Sequence, residues 1–173
     1  MKIGISGVHG SGKTTLLNNE MFRSCTKCDE VTRTVKKEYN VEINEQGNDV
    51  TQKLIMREHM ANLILNNNMV TDRTVIDCMA YTHYLYDNKQ VSKDTLDYIS
   101  MCYSKLVKKY DLIFYLIPVE DKIADDGVRS TNVEFRDKMI EYFEKYINHF
   151  NVVKVKGDYK ERIRFCRETL CLF

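Results

Sequence analysis

The sequence predicts an α/β domain, a parallel β-sheet with helices on both faces. Three observations lead there. Short apolar runs alternate with stretches of helical periodicity along the whole chain. The run Asp111–Ile117 is almost wholly apolar, as expected of a strand covered on both sides. The first apolar run, Lys2–Ser6, passes straight into a glycine-rich turn that opens on a helix. At 173 residues and 43% hydrophobic content the chain suits a single domain, residues 1–173, with one substantial core.

The elements follow in order. After the glycine-rich turn, Thr14 to about Phe22 carries Leu16, Leu17 and Met21 at helical spacing. A short second strand ends near Cys28–Val31, and Thr32–Tyr39 reads as a brief helix. Residues 40–48 are polar and contain Gly47, which marks a surface loop. Asn48 or Asp49 caps a long helix to about Leu65, with Val50, Leu54, Ala61 and Leu65 expected along its inner side. Met69–Asp72 is a third strand with an acidic end. Thr74–Tyr86 is helical, and residues 87–90 form a turn. Ser92 caps a helix whose inward stripe is Leu96, Ile99, Tyr103, Leu106 and Val107. Pro118, the only proline, closes the fourth strand. A charged loop follows. Asn132 then caps a helix with Met139, Phe143, Tyr146 and Ile147 facing inward. Residues 151–155 make a fifth strand, and Asp158 starts the last helix.

The chemistry begins at Gly7-Val8-His9-Gly10-Ser11-Gly12-Lys13-Thr14-Thr15. Gly7, Gly12, Lys13 and Thr14 complete the phosphate-binding P-loop pattern, and the strand before and helix after it supply its context. Glycines let successive N–H groups converge on a polyphosphate, and the helix start adds a positive dipole end. Lys13 reaches the β- and γ-phosphates, and the Thr14 hydroxyl sits on Mg²⁺. The chain is therefore expected to bind ATP through Gly7, His9, Gly10, Ser11, Gly12, Lys13, Thr14 and Thr15.

Ligands in such sheets bind beyond the carboxyl ends of the strands. Strand two ends at Glu30, with Arg33 one turn later; strand three ends at Asp72-Arg73. Asp72 is placed to hold Mg²⁺ with Thr14. Arg73 occupies a position where a motor ATPase often carries a glutamate that activates water, and an arginine there suits a phosphate instead. Glu30 would take a hydrogen bond or a proton from a substrate hydroxyl, and Arg33 would grip an acceptor phosphate; a surface salt bridge at helical spacing is the other reading of that pair. The segment 119–136 reads as a lid hinged at Gly127 that brings Arg129 and Arg136 to the transferring group. Gln52 is placed to read a base edge. The aromatic run Tyr81, His83, Tyr84 and Tyr86 reads first as core packing, with flanking a base as the alternative, and His9 either looks toward the acceptor or is neutral filler in the loop.

Together Gly7–Thr15, Glu30-Val31-Thr32-Arg33, Asp72-Arg73-Thr74, Asp125–Ser130 and Glu134–Asp137 resemble the small P-loop nucleotide kinases. The likeness is to the short, often phage-encoded kinases of the deoxynucleoside monophosphate or thymidylate kinase type, and in outline to ribosylnicotinamide kinase. It implies five parallel strands in the order 2-3-1-4-5, Mg-ATP as donor, and a nucleotide or nucleoside acceptor. It also implies that Arg73 holds the acceptor phosphate. Val8 and His9 depart from thymidylate kinases, which commonly carry a charged side chain there.

The leading expectation is phosphoryl transfer from ATP to a (deoxy)nucleoside monophosphate, with Lys13, Asp72, Arg73, Arg129 and Arg136 catalytic and Glu30, Arg33, Gln52 and Arg73 on the acceptor. The alternative is a nucleoside or ribosylnicotinamide kinase with Glu30 as base. A GTP-dependent switch lacks its Asn-Lys-x-Asp, since Asn88-Lys89-Gln90 ends in Val91. A regulatory ATPase or an idle nucleotide binder is the remaining class. A net charge of +1 favours a small-molecule partner over nucleic acid or a membrane surface. A homodimer is compatible with this reading. No stretch is long and apolar enough to span a bilayer and no signal precedes the P-loop, so the expected location is the cytoplasm, with the six cysteines reduced. Cys25 and Cys28 have zinc-like spacing but lack a second ligand pair.

Overall fold

The computed structural model describes residues 1–118 and 133–172, the side chain of Val133 apart. Five parallel strands, β1 (Lys2–Ser6), β2 (Thr26–Cys28), β3 (Met69–Asp72), β4 (Leu112–Leu116) and β5 (Val152–Val155), form one sheet in the order β2-β3-β1-β4-β5. This is the order expected above. β1 is central, in register with β3 (Ile5 beside Asp72) and with β4 (Ile5 beside Phe114). All three carboxyl ends therefore finish at one edge.

Side chains alternate across a strand, so the sheet divides the core in two. Ile3, Ile5, Leu112, Phe114 and Leu116 point to one face and meet Leu16, Leu17, Phe22 and Cys166. These come from helices α1 (Lys13–Leu17) and α7 (Tyr159–Leu170) and the turn between α1 and β2. Ile113 and Tyr115 point to the other face, into a larger cluster with Val31, Met56, Ile76, Ile99, Met139 and Phe143. That cluster is built by α2 (Val31–Tyr39), α3 (Asp49–Leu65), α4 (Val75–Asp87), α5 (Lys93–Leu106) and α6 (Val133–Glu144). Gly4 also faces α4: a Cβ there would lie 2.4 Å from Thr74 Cγ2, so only glycine lets the start of α4 settle on β1.

Two expectations change in detail. The first helix stops at Leu17, and Glu20–Phe22 forms a separate 3₁₀ turn. Asn19 breaks the helix because its side chain accepts from Met21 N at 3.1 Å, a local bond that competes with helical pairing. The inner face of α3 is also different. Val50 and Leu65 are exposed, whereas Thr51, Gln52, Ile55, Met56, His59 and Leu63 are buried. Asn48 caps this helix and Ser92, Thr74 and Asp158 cap α5, α4 and α7 through their side chains. The expected Asn132 cap, most of the segment 119–136 read as a lid, and Arg129 lie outside the described residues. No described helix is long and apolar enough to cross a membrane, and all six cysteines are unpaired.

Candidate active site

The P-loop lies between β1 and α1, with Gly7, Gly10 and Gly12 all at positive φ. Gly7 has φ +142°, and a Cβ there would meet Leu116 O at 2.8 Å. The loop is held from several sides. Lys13 is buried and its ammonium donates back to Gly7 O and Val8 O, both at 2.8 Å. Burial first, then the nearby Arg73 guanidinium, lower its pKa to about 8 despite Asp72, Asp77 and Glu30. From α4, Asp77 accepts from Ser6 Oγ at 2.8 Å and from Thr74 N at 2.9 Å, which ties the loop's start to a capping box. From α7, Arg162 donates to Ser11 O at 2.6 Å, Ile117 O at 2.5 Å and Gly157 O at 2.8 Å.

Thr14 Oγ1 donates to Asp72 Oδ2 at 2.6 Å. The other oxygen, Asp72 Oδ1, is buried with no hydrogen-bond partner. A hydroxyl and a half-satisfied carboxylate at this spot are the two protein oxygens that Mg²⁺ arriving with a triphosphate needs, the rest being phosphate and water. Among the described residues no cluster of three or more His, Cys, Asp or Glu offers an all-protein metal site. Thr14 and Asp72 could hold such an ion between them.

Glu30 sits just before α2, where the helix dipole favours an anion. Its Oε1 accepts from Arg73 Nε and its Oε2 from Arg33 Nε, each at 2.8 Å. Burial alone would raise its pKa. Arg73, Lys13 and Arg33 outweigh that and hold it at about 2, so the carboxylate stays ionised. Arg73 has φ +73°, a left-handed turn that non-glycine residues adopt at a cost, and its side chain is 6% exposed. The guanidinium also lies 3.7 Å from Asp77 Oδ1 and 5.4 Å from the Tyr81 ring centroid. Burial opposes its charge, but Glu30, Tyr81 and Asp77 push its pKa well up.

Behind Arg73 is a narrow, partly open pocket between α2, α3 and α4, with a cavity volume of about 20 Å³. Gln52, His59, Arg73, Asp77 and Tyr81 line it with Asn44. Gln52 is buried there, with its side-chain oxygen 3.0 Å from Thr82 Oγ1. A second, open groove is lined by Thr14, Asp72, Glu30, Arg33 and Lys37. Glu30 on the groove and Arg73 on the pocket meet between the two. His9 is buried, 3.3 Å from Tyr81 OH and stacked on Phe135 at 5.5 Å. Arg136 is buried on α6, one residue beyond Phe135. Of the aromatic run, Tyr81 lines the pocket, while His83 and Tyr84 pack against Tyr142.

Sequence reasoning missed three of these residues. The spacing Thr74-x-x-Asp77 is a capping box and marked Asp77 as more than a helix residue. Arg162 gave no local signal, being 151 residues from Ser11. His59 gave a weak one, a polar side chain in step with Gln52 and Ile55 on one helix face.

A family model described as an AAA domain matches residues 2–162. The chain belongs to that family. Among solved structures, deoxyadenosine kinase from M. mycoides, with products dCMP and a flexible dCDP bound, is similar at a TM-score of 0.71 and 18% identity, covering 98% of both chains. The NadR protein in complex with NR has a TM-score of 0.68 at 19% identity, covering 91% of this chain and 46% of that one. Thymidylate kinase from Candida albicans has a TM-score of 0.64 at 16% identity, covering 97% and 89%. At these identities the likeness is one of fold. No curated protein sequence matches.

Proposed function

We propose that the chain is an ATP-dependent kinase whose acceptor is a nucleoside hydroxyl. The P-loop supports ATP as donor, and kinases of this fold among the structural neighbours support transfer over plain hydrolysis. One observation favours a hydroxyl over a phosphate: the ionised Glu30 sits at the boundary of the two pockets with its neighbouring cation, Arg73, already committed to Glu30 and Asp77. A monophosphate brought there would face the Glu30 carboxylate and, on the pocket side, Asp77. A hydroxyl would instead find an acceptor for its proton.

In this reading Lys13 leaves the Gly7 and Val8 carbonyls and meets the β- and γ-phosphates, while the loop amides and the start of α1 hold the rest. Thr14 and Asp72 would hold the Mg²⁺, which when bound would supply charge neutralisation on the phosphates. Glu30 orients the acceptor hydroxyl and Arg73 fixes Glu30. The hydroxyl oxygen bonds to the γ-phosphorus, the bond from that phosphorus to the β–γ bridging oxygen breaks with ADP taking the electron pair, and the hydroxyl proton passes to Glu30. A carboxylate held near a pKa of 2 is a weak base, which suits a loose transition state in which the proton moves late and positioning dominates. Arg136, and Arg129 beyond the described residues, are assigned to the moving group.

A second reading, a nucleoside monophosphate as acceptor, is favoured by Arg33. Its side chain keeps 39% exposure on the open groove beside Thr14 and Asp72. The test is a panel of nucleosides and their 5′-monophosphates incubated with Mg-ATP, with ADP release and product mass followed. Nucleosides should turn over with the higher kcat/KM. Faster turnover of the monophosphates, with a diphosphate product, would replace the first reading by the second.

A further inference from the structure

His59 stands midway along α3 and is 1% exposed. It lines the pocket behind Arg73, on the same helix face as Gln52 and Ile55, seven and four residues earlier. Neither Nδ1 nor Nε2 has a hydrogen-bond partner. A buried polar atom left without a partner loses the hydrogen bond it had with water, so an imidazole with two such atoms weakens the protein where a leucine would not. The same arrangement is productive when a ligand enters the pocket and supplies the partner. Burial first and Arg73 second lower the His59 pKa to about 3, so the ring is neutral at working pH and presents one N–H donor and one bare nitrogen.

The charges around the pocket narrow the ligand further. Among the described lining residues the charged side chains are Arg73 and Asp77, and they face each other at 3.7 Å. Asp77 already accepts from Ser6 and Thr74. A cationic ring would meet Arg73 with no uncommitted carboxylate to offset the repulsion, and an anionic one would meet a neutral imidazole and a paired arginine.

We propose that His59 is a specificity-determining residue that hydrogen-bonds the base of the acceptor, and that this base is an uncharged heterocycle carrying both donor and acceptor groups. This rests on the kinase reading above. Gln52 would support it from one side of the same wall, and Tyr81, held by His9, from the other.

The experiment compares His59→Leu and His59→Gln with the unmodified full chain. In the absence of ligand His59→Leu should keep or raise Tm, because it removes two unpartnered polar atoms. Its KM for the best neutral nucleoside should rise about 10- to 100-fold, the loss of one or two hydrogen bonds. KM for ATP should stay within about twofold, because His59 lines the pocket and not the groove of Thr14 and Asp72. His59→Gln, which can still donate and accept, should recover part of the loss. An unchanged acceptor KM in His59→Leu overturns the inference, and so does a lowered Tm with unchanged KM, the result expected of a packed core histidine.

A direct reading comes from the imidazole ¹⁵N resonances of the four histidines in labelled protein titrated with adenosine, cytidine, thymidine and nicotinamide riboside. One neutral nucleoside should shift a signal that is missing in His59→Leu. No such shift, or a stronger response to the pyridinium nucleoside than to any neutral one, overturns it. If Glu30→Gln abolishes transfer while His59→Leu leaves acceptor KM unchanged, the kinase assignment stands and only the role of His59 falls.

Discussion

Glu30→Gln separates the structural from the chemical role of the ion-paired triad Arg33–Glu30–Arg73. An ordinary glutamate titrates near 4.5, and in the folded chain Glu30 titrates at about 2. The difference corresponds to about 3 kcal/mol of stability. Because the folded-state pKa is the lower one, this contribution is complete above about 4.5 and is lost as pH falls towards 2. At pH 3 less than half of it remains, about 1.4 kcal/mol by the same relation. Glutamine keeps the shape but not the charge, so Arg73 would retain only Asp77 at 3.7 Å. At pH 7 the variant should lose about 3 kcal/mol, or roughly 6–12 °C of Tm for a chain of this length.

The assay is thermal unfolding of both proteins at pH 7 and pH 3. The Tm gap at pH 3 should shrink to half or less. A gap that is the same at both pH values would refute the linkage and show that Glu30 stabilises by packing. Activity gives the second half of the test. At pH 7 and a temperature where both proteins are folded, transfer should fall about 10²–10⁴-fold, the range for a positioned acid–base group, with the KM for ATP little changed. If Glu30→Gln transfers phosphate at the normal rate, Glu30 is an ion-pair residue and nothing more.

Three further outcomes follow from the same geometry. Lys13→Ala should abolish turnover and weaken ATP binding measured by calorimetry, while circular dichroism shows a folded chain. With its pKa lowered to about 8, Lys13 should take up part of a proton when a triphosphate binds at pH 8.5; the binding enthalpy will then vary with the ionisation enthalpy of the buffer, and the variation will vanish in Lys13→Ala. Arg162→Ala, which removes contacts to Ser11, Ile117 and Gly157, should lower Tm by several degrees and weaken ATP more than acceptor; equal losses on both would show that α7 does not act through the P-loop.

The fold was legible because its signals are local. The P-loop letters sit in a strand–turn–helix context, the strands are short apolar runs, and Ser92 and Asp158 mark their helices by side-chain capping. The pairing of Thr14 with Asp72 was legible for the same reason, each lying at the end of a recognisable element. The lining of the pocket behind Arg73 was not. α3 was given the wrong inner face because apolar periodicity points to Val50 and Leu65, while the helix buries Gln52 and His59 against the pocket. A helix bordering a ligand site carries polar side chains where a core helix carries apolar ones, so the rule that finds helices hides sites. The left-handed turn that sends Arg73 inward to Glu30 depends on neighbours from β1 and α2 and is invisible in the run Asp72-Arg73-Thr74. The lid could be named from its charges and Gly127, but Arg129 lies outside the described residues.

The free P-loop is stabilised by contacts that compete with its ligand. Lys13 gives its charge to two loop carbonyls, Thr14 donates to the carboxylate it would share with a metal, and Asp72 Oδ1 is left without a partner. Each of these must be exchanged when ATP arrives. Asp77 and Arg162, by contrast, hold the backbone from outside and need not move. The arrangement therefore separates what shapes the loop from what reads the phosphates. It places the bound-state changes in three side chains, so a nucleotide-bound structure should differ from this one at Lys13, Thr14 and Asp72 while the Asp77 and Arg162 contacts remain.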